Sequence, residues 1–220
     1  MRQVHAGISG NFGAVSIGRH YGLYYDYIDD ELDRHRSHYS DAIVFGDLFV
    51  SNALVYRSPQ WGRANFGVLV ELNDADAQGN SIDERVELAG TYVYNSLSVH
   101  AGYVSSPVHE GLLGLAASYR HRGLNFVGVY QNIERAKGID DTLISLGVDA
   151  DLTQLNRVRL AVTTKGDGTS ADLDQVYILL GGEHRFTGHF LAFAELFSKS
   201  TDVAQASDEI ALVSGFRFDF

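Results

Sequence analysis

The sequence predicts an all-β chain, a meander of about thirteen antiparallel strands with one apolar and one charged face. Three observations carry this. Runs of eight to twelve residues follow one another along the chain, and several alternate apolar and ionised residues with a period of two. Tight turns and longer polar connections alternate between them. The final run, residues 209–220, sets Ile210, Leu212, Phe216, Phe218 and Phe220 on one face and Glu209, Gly215, Arg217 and Asp219 on the other.

The expected strands are 2–10, 13–21, 52–59, 64–73, 84–95, 97–105, 111–121, 124–134, 142–152, 156–165, 174–186, 188–199 and 209–220. In 84–95, Val86, Leu88, Tyr92 and Tyr94 oppose Arg85, Glu87 and Thr91. In 142–152, Ile144, Leu146, Val148, Ala150 and Leu152 alternate with Ser145, Gly147, Asp149 and Asp151. The next strand sets Val158, Leu160 and Val162 against Arg157, Arg159 and Thr163, so an acidic polar face meets a basic one and cross-strand pairs can form. In 174–186, Val176, Ile178 and Leu180 oppose Gln175, Tyr177 and Glu183. Aromatics lie near strand ends: Tyr92, Tyr94, Tyr103, Tyr130, Phe186, Phe190, Phe216 and Phe220. That placement suits the two water–lipid boundaries of a membrane barrel.

The turns at Asn95-Ser96, Arg122-Gly123 and Thr187-Gly188 are tight. The connections Asn73 to Asp83, Arg135 to Asp141, Gly166 to Asp172 and Ser200 to Asp208 are longer and polar. Short turns on one rim and long loops on the other give this alternation. The chain reads as one domain, 1–220, interrupted by one long connection, Gly22 to Ser51. Loops of that length inside a domain are usually functional. This one holds Asp26, Asp29, Asp30, Glu31, Asp33, Asp41 and Asp47 beside Arg34, His35, Arg36 and His38, and its many aromatics argue against disorder.

Composition narrows the function classes. Seventeen Lys and Arg against 28 Asp and Glu give a formal charge of −11, which argues against a nucleic-acid partner. No Cys means no disulfide framework and no thiolate metal site. No run approaches the ~20 apolar residues of a spanning helix. Neither a Gly-x-Ser-x-Gly elbow nor a His-Glu-x-x-His pair occurs, so an enzyme is not expected. His184 and His189 flank a turn without further ligands, and Tyr119-Arg120-His121-Arg122 reads as a basic strand end contacting a loop or a headgroup. No cofactor or metal is expected.

The stretch Arg2-Gln3-Val4-His5-Ala6-Gly7-Ile8, followed by Phe12-Gly13 and Gly18-Arg19-His20-Tyr21-Gly22 and then Tyr25-Asp26, resembles the general porins of Gram-negative outer membranes. Tyr39-Ser40-Asp41 and Val55-Tyr56-Arg57-Ser58-Pro59 resemble the end of that family's constriction loop and the strand after it. The resemblance implies an antiparallel transmembrane β-barrel of the sixteen-strand porin type, with residues 22–51 folded inward as the constriction loop. It also implies that this chain lacks the first three strands, and Met1 is followed by no leader-like segment. The implied function is passive diffusion of ions and small hydrophilic solutes, with Arg2, Arg19 and Arg57 as a basic wall. Tyr21 and Tyr25 form the neck, and Asp26, Asp29, Asp30, Glu31 and Asp33 the acidic loop face. Phe220 resembles the terminal signal for the barrel-assembly machinery. Implied partners are two further copies in a homotrimer, outer-membrane lipid and lipopolysaccharide. The family's usual acidic loop tip is replaced here by Asp33-Arg34-His35-Arg36-Ser37-His38, and the acidic excess gives a weak cation preference.

Two other functions stay open on the sequence alone. A soluble all-β barrel enclosing an apolar ligand would turn the same charged face outward. A barrel hydrolase would need a catalytic constellation that no motif here supplies.

Overall fold

The computed structural model describes residues 3–72, 85–106, 111–135, 139–166, 175–202 and 208–219. Arg2 and Phe220, two of the residues singled out above, lie outside them. The strands are β1 (Val4–Gly10), β2 (Gly13–Tyr21), β3 (Phe49–Arg57), β4 (Ala64–Glu71), β5 (Val86–Tyr94), β6 (Leu97–Ser105) and β7 (Gly111–His121). They continue as β8 (Leu124–Arg135), β9 (Ile139–Asp151), β10 (Asn156–Gly166), β11 (Gln175–Arg185), β12 (Phe190–Thr201) and β13 (Glu209–Phe218). All thirteen form one antiparallel sheet in which each strand pairs with its neighbours in sequence. Among the described residues no ladder joins β13 to β1, so the sheet is open.

Two boundaries differ from the sequence reading by three residues, the others by at most two. β9 begins at Ile139 rather than 142, because Asp140 and Asp141 still pair with Glu134 and Ile133 of β8. Successive acidic residues, Asp140 exposed and Asp141 buried, do not end a ladder whose backbone partners continue. β3 begins at Phe49, so the long connection is 22–48 rather than 22–51. Its ladder with β2 shifts register between Gly18 and His20, where Asn52 takes a positive φ of 51°. Such a bulge re-aims the strand at its loop end.

The two faces separate as the period-two pattern requires. Ile144, Leu146, Leu160, Ile178, Leu180, Ile210, Leu212 and Phe216 all point away from the loop and are exposed, Leu146 by 66% and Phe216 by 73%. Asp149, Arg159 and Glu183 point inward with little exposure. A patch of this extent in water would be unsustainable, and in hydrocarbon it is the required surface. The soluble-barrel alternative needs the opposite orientation. At the turn-side rim Phe186 stacks on Phe190 at 5.2 Å and Phe190 on Phe216 at 5.7 Å, a run of rings at the level of an interfacial girdle.

The inner face differs from a purely polar lining. Leu112, Ala116, Val127, Val129, Ile133, Leu143, Leu179 and Phe197 are buried there, packed with Tyr24, Ile28, Leu32 and Ile43 of the long loop. On β8 both faces are therefore apolar, with Phe126 and Tyr130 outside and Val127 and Val129 inside. The loop supplies the inner side chains with a partner other than water.

Leu146 lies mid-strand on the outer face, so Leu146→Arg is expected to destabilise the folded protein in vesicles by about 2–4 kcal/mol. Asp30→Arg, on the inward loop, should change stability by no more than about 0.5 kcal/mol. Urea titration of folding in lipid vesicles measures both.

Candidate functional site

The long connection opens with a five-residue helix, α1 (Leu23–Tyr27), then short 3₁₀ turns at Asp29–Glu31 and His38–Ile43. Its entry is fixed by wall polar groups. Glu87 of β5, fully buried, accepts the backbone N–H of Tyr24 at 2.9 Å and pairs with Arg85 at 2.6 Å, while Arg85 also reaches Asp47 at the loop's exit. Small inward residues make room. A Cβ at Gly114 would collide with the Tyr24 hydroxyl, one at Gly102 would come to 3.0 Å from the same ring, and one at Gly147 would collide with the Arg34 guanidinium. The loop thus lies in a trough of missing side chains that crosses the strands.

The middle of the loop is held by carboxylates of the opposite wall. Arg34 reaches Asp149 at 2.5 Å. Glu195 accepts the backbone N–H groups of Arg36 and Ser37 at 2.6 and 2.7 Å. Glu183 takes Arg36 at 3.1 Å and Arg159 at 3.0 Å. On the adjoining strands Arg157 pairs with Asp151 at 2.5 Å, as the acidic-against-basic pattern anticipated. Arg159 instead crosses to Glu183, while Asp149 is engaged by the loop. His35 is buried beside these groups, and burial holds its imidazole below the ordinary range against the pull of Glu195.

The expected acidic and basic elements are therefore distributed differently. Arg57 is on the inner face and pairs with Asp26 of α1, which joins wall and loop directly. Arg19 is not on that wall. It pairs in register with Val4 and shares a face with Ile17, and its guanidinium lies 5.0 Å from the ring of Phe49. Strand alternation gives the inner position to the next residue: His20 stacks on His5 at 4.3 Å and lies 3.5 Å from Ser16 Oγ. Tyr21 stacks on Phe49 at 4.9 Å and Tyr25 at 6.0 Å, and the Tyr25 hydroxyl donates to Asp33 at 2.5 Å. Asp30 is exposed, and Glu31 lies 3.5 Å from His100.

Asp29 is a correction to the expected acidic loop face. It is 0% exposed, accepting from Gln131 Nε2 at 2.5 Å and from the backbone N–H of Gly46 at 2.7 Å. Burial pushes its carboxyl up to about 7, against the hydrogen bonds from Gln131 and the loop backbone. It closes the neck of the loop instead of facing solute. Gln131 Oε1 has no partner, so an amide rotation lets the neutral acid donate there.

Sequence reading named Arg57 and Asp26 but not their pairing, and did not assign His20, Gln131, Glu87, Glu183 or Glu195 to the loop. Strand parity already placed Glu87 and Glu183 inward. Nothing local marks which loop atom each one meets. Two openings remain beside the loop. One of about 440 Å³ is lined by His5, Ser16, His20, Tyr21 and Arg57. The other, about 790 Å³, is lined by Asp33, His35, Arg36, Asp41, Phe193 and Arg217. Both lie toward the sheet's unpaired edge strands, at β1–β3 and β12–β13, while the loop packs over the strands between them. Among the described residues no group of three His, Asp or Glu is placed to hold a metal.

A family model described as Gram-negative porin matches residues 1–203. Outer membrane protein U of Vibrio cholerae serotype O1 is 30% identical over 162 residues, covering 64% of this chain and 46% of that protein. The chain thus spans less than half the length of the curated relatives it matches. Among solved structures, an anion-selective porin from Comamonas acidovorans superimposes with a TM-score of 0.81 at 17% identity, over 100% of this chain and 78% of that one. Salmonella typhi OmpF in complex with daunomycin gives 0.75 at 16% identity, over 98% and 77%. OmpT of Vibrio cholerae gives 0.72 at 15% identity, over 99% and 79%. At these identities the structures speak for the fold.

Two outcomes follow from the loop's anchors. Glu195→Ala leaves two loop N–H groups unpaired and should cost about 1–3 kcal/mol, read as a lower thermal transition together with noisier single-channel current. For Asp29, the folded-state carboxyl titrates above its unfolded value of 3.8, so the native state binds the extra proton and stability falls as pH rises from about 4 to about 7. The advantage of Asp29→Asn over the parent should grow across that window and level off above it in unfolding titrations at stepped pH.

Proposed function

Because the chain belongs to the Gram-negative porin family, we propose that it forms the wall and constriction of an outer-membrane channel for passive diffusion of ions and small hydrophilic solutes. The observation that carries this is the inward-folded loop, held by ionised side chains on a wall whose other face is apolar. Such a loop narrows a water-filled lumen and leaves charges along the remaining path, and those charges with the pore width set selectivity. A hydrolase reading gains no support from the site, whose loop guanidiniums and Arg57 are engaged by carboxylates.

The selectivity we infer is a weak cation preference. Asp30 and Asp41 stand exposed on the loop, while Arg57 is paired with Asp26 and Arg36 with Glu183, so uncompensated charge along the openings is acidic. The partners proposed are two further copies in a trimer, outer-membrane lipid and lipopolysaccharide, and the assembly machinery reading the terminal Phe220.

Reversal potentials across planar bilayers under a KCl gradient test the reading. A modest cation preference is expected. Asp30→Asn should move it toward anions, and Arg57→Ala should move it further toward cations by freeing Asp26. A clear anion preference in the parent protein overturns the assignment of sign, and the absence of any conductance overturns the channel.

A further inference from the structure

The outer face carries one feature that neither the channel nor the loop uses. Across β4, β5 and β6 a cross-strand row of small residues, Gly90 and Ala101, faces outward beside Phe66. Leu88, Tyr103 and Leu113 wall it, and the resulting hollow of about 330 Å³ has an almost wholly apolar lining. Toward the short-turn rim the same face runs through Tyr92 to Tyr94, both exposed. There the guanidinium of Arg63, in the β3–β4 turn, lies 4.4 Å from the centre of the Tyr94 ring. Arg63 is exposed and has no carboxylate partner among the described residues. Tyr94 pairs with Leu97, and Leu97 with Tyr119, on which His121 stacks at 6.2 Å. Trp61 and Phe66 stand on the other flank, 5.5 Å apart.

We propose that this surface is a binding site for one anionic phospholipid, its phosphate at Arg63 and one acyl chain in the Gly90–Ala101 hollow. The dimensions agree. Four residues of β5 separate Gly90 from Tyr94, roughly 14 Å at ~3.4 Å per residue. One leaflet contributes about half of a hydrocarbon core ~30 Å thick. A headgroup at the rim therefore brings its chain to the depth of the hollow. The aromatic flanks belong at the headgroup level, where rings with one dry and one wet edge are favoured. An unpaired guanidinium already stacked on a ring is pre-organised for a phosphate, which it meets through two parallel N–H donors. A second copy of the chain fits less well, since its contact would bury Arg63 against a surface that, among the described residues of β4 to β6, offers no outward carboxylate. Short turns mark the periplasmic rim of such barrels, so the leaflet concerned is the inner one.

Native mass spectrometry of the detergent-folded protein, titrated separately with phosphatidylglycerol and phosphatidylcholine, tests the site. One phosphatidylglycerol per chain should be retained in preference to phosphatidylcholine. Arg63→Ala should weaken phosphatidylglycerol retention about fivefold and phosphatidylcholine, whose phosphate is offset by its choline cation, by less, and Arg63→Lys should recover part of the loss. Ala101→Leu, which fills the hollow from an exposed position, should weaken both lipids. Heat-modifiable gel mobility establishes that each variant is folded. Equal retention of the two lipids by the parent, or unchanged phosphatidylglycerol retention by Arg63→Ala, overturns the proposal. So does a concentration-dependent dimer that Ala101→Leu abolishes.

Discussion

Hydrocarbon against one face of the sheet is the constraint from which the other features follow. Lipid accepts no unpaired backbone polar group, so every strand must ladder to a neighbour, and a meander of adjacent strands does this without crossovers. It accepts no ionised side chain cheaply, so charges move to the inner face through strand alternation alone. A chain with a formal charge of −11 can then turn Asp149, Arg159 and Glu183 to the inner face and still present Leu146, Leu180 and Phe216 to lipid.

The inner face has a second task, which is to hold a loop. A 27-residue insertion between β2 and β3 has no room outside the barrel's own curvature unless it extends into water or folds back. Here it folds back and builds a second apolar layer with Leu112, Val127, Leu143 and Leu179. That layer alone is not directional, because hydrophobic contact fixes no register. Direction comes from the polar anchors: Glu87 on the first turn, Gln131 on Asp29, Asp149 on Arg34, and Glu195 on two successive backbone N–H groups. Apolar packing and a few charge-assisted hydrogen bonds therefore divide the work of placing the constriction. Removing one anchor leaves a buried partner unmet, which is costlier than the anchor's own net contribution.

The electrostatics of the constriction are sectored. The early loop is acidic and meets Arg57, whereas the later loop is basic and meets the acids of β9, β11 and β12. Pairing of this kind neutralises many of the formal charges on the loop and on the wall facing it. The openings beside the loop are lined by Arg57 in one sector and by Asp33, Arg36, Asp41 and Arg217 in the other. Composition overstates the field for that reason.

The strand pattern was legible in the sequence because a period of two is a local property, and thirteen strands appear within a few residues of where alternation placed them. The same periodicity set Glu87, Asp149 and Arg159 inward. Where two apolar faces coincide, as on β8, it located the strand but not the side that meets the loop, since alternation carries no information once both sides have apolar partners. Arg19 shows a sharper limit: a Gly-Arg-His motif does not state which of two neighbours faces in, and a one-residue difference reverses the answer. By itself the sequence determined the fold class, the position of the long loop and the residue types available to it. Tertiary structure alone decided that Asp29 is sealed away and which wall carboxylate meets which loop donor. Those choices depend on contacts between residues more than a hundred positions apart, such as Arg34 with Asp149 and Arg36 with Glu183, which no local pattern encodes.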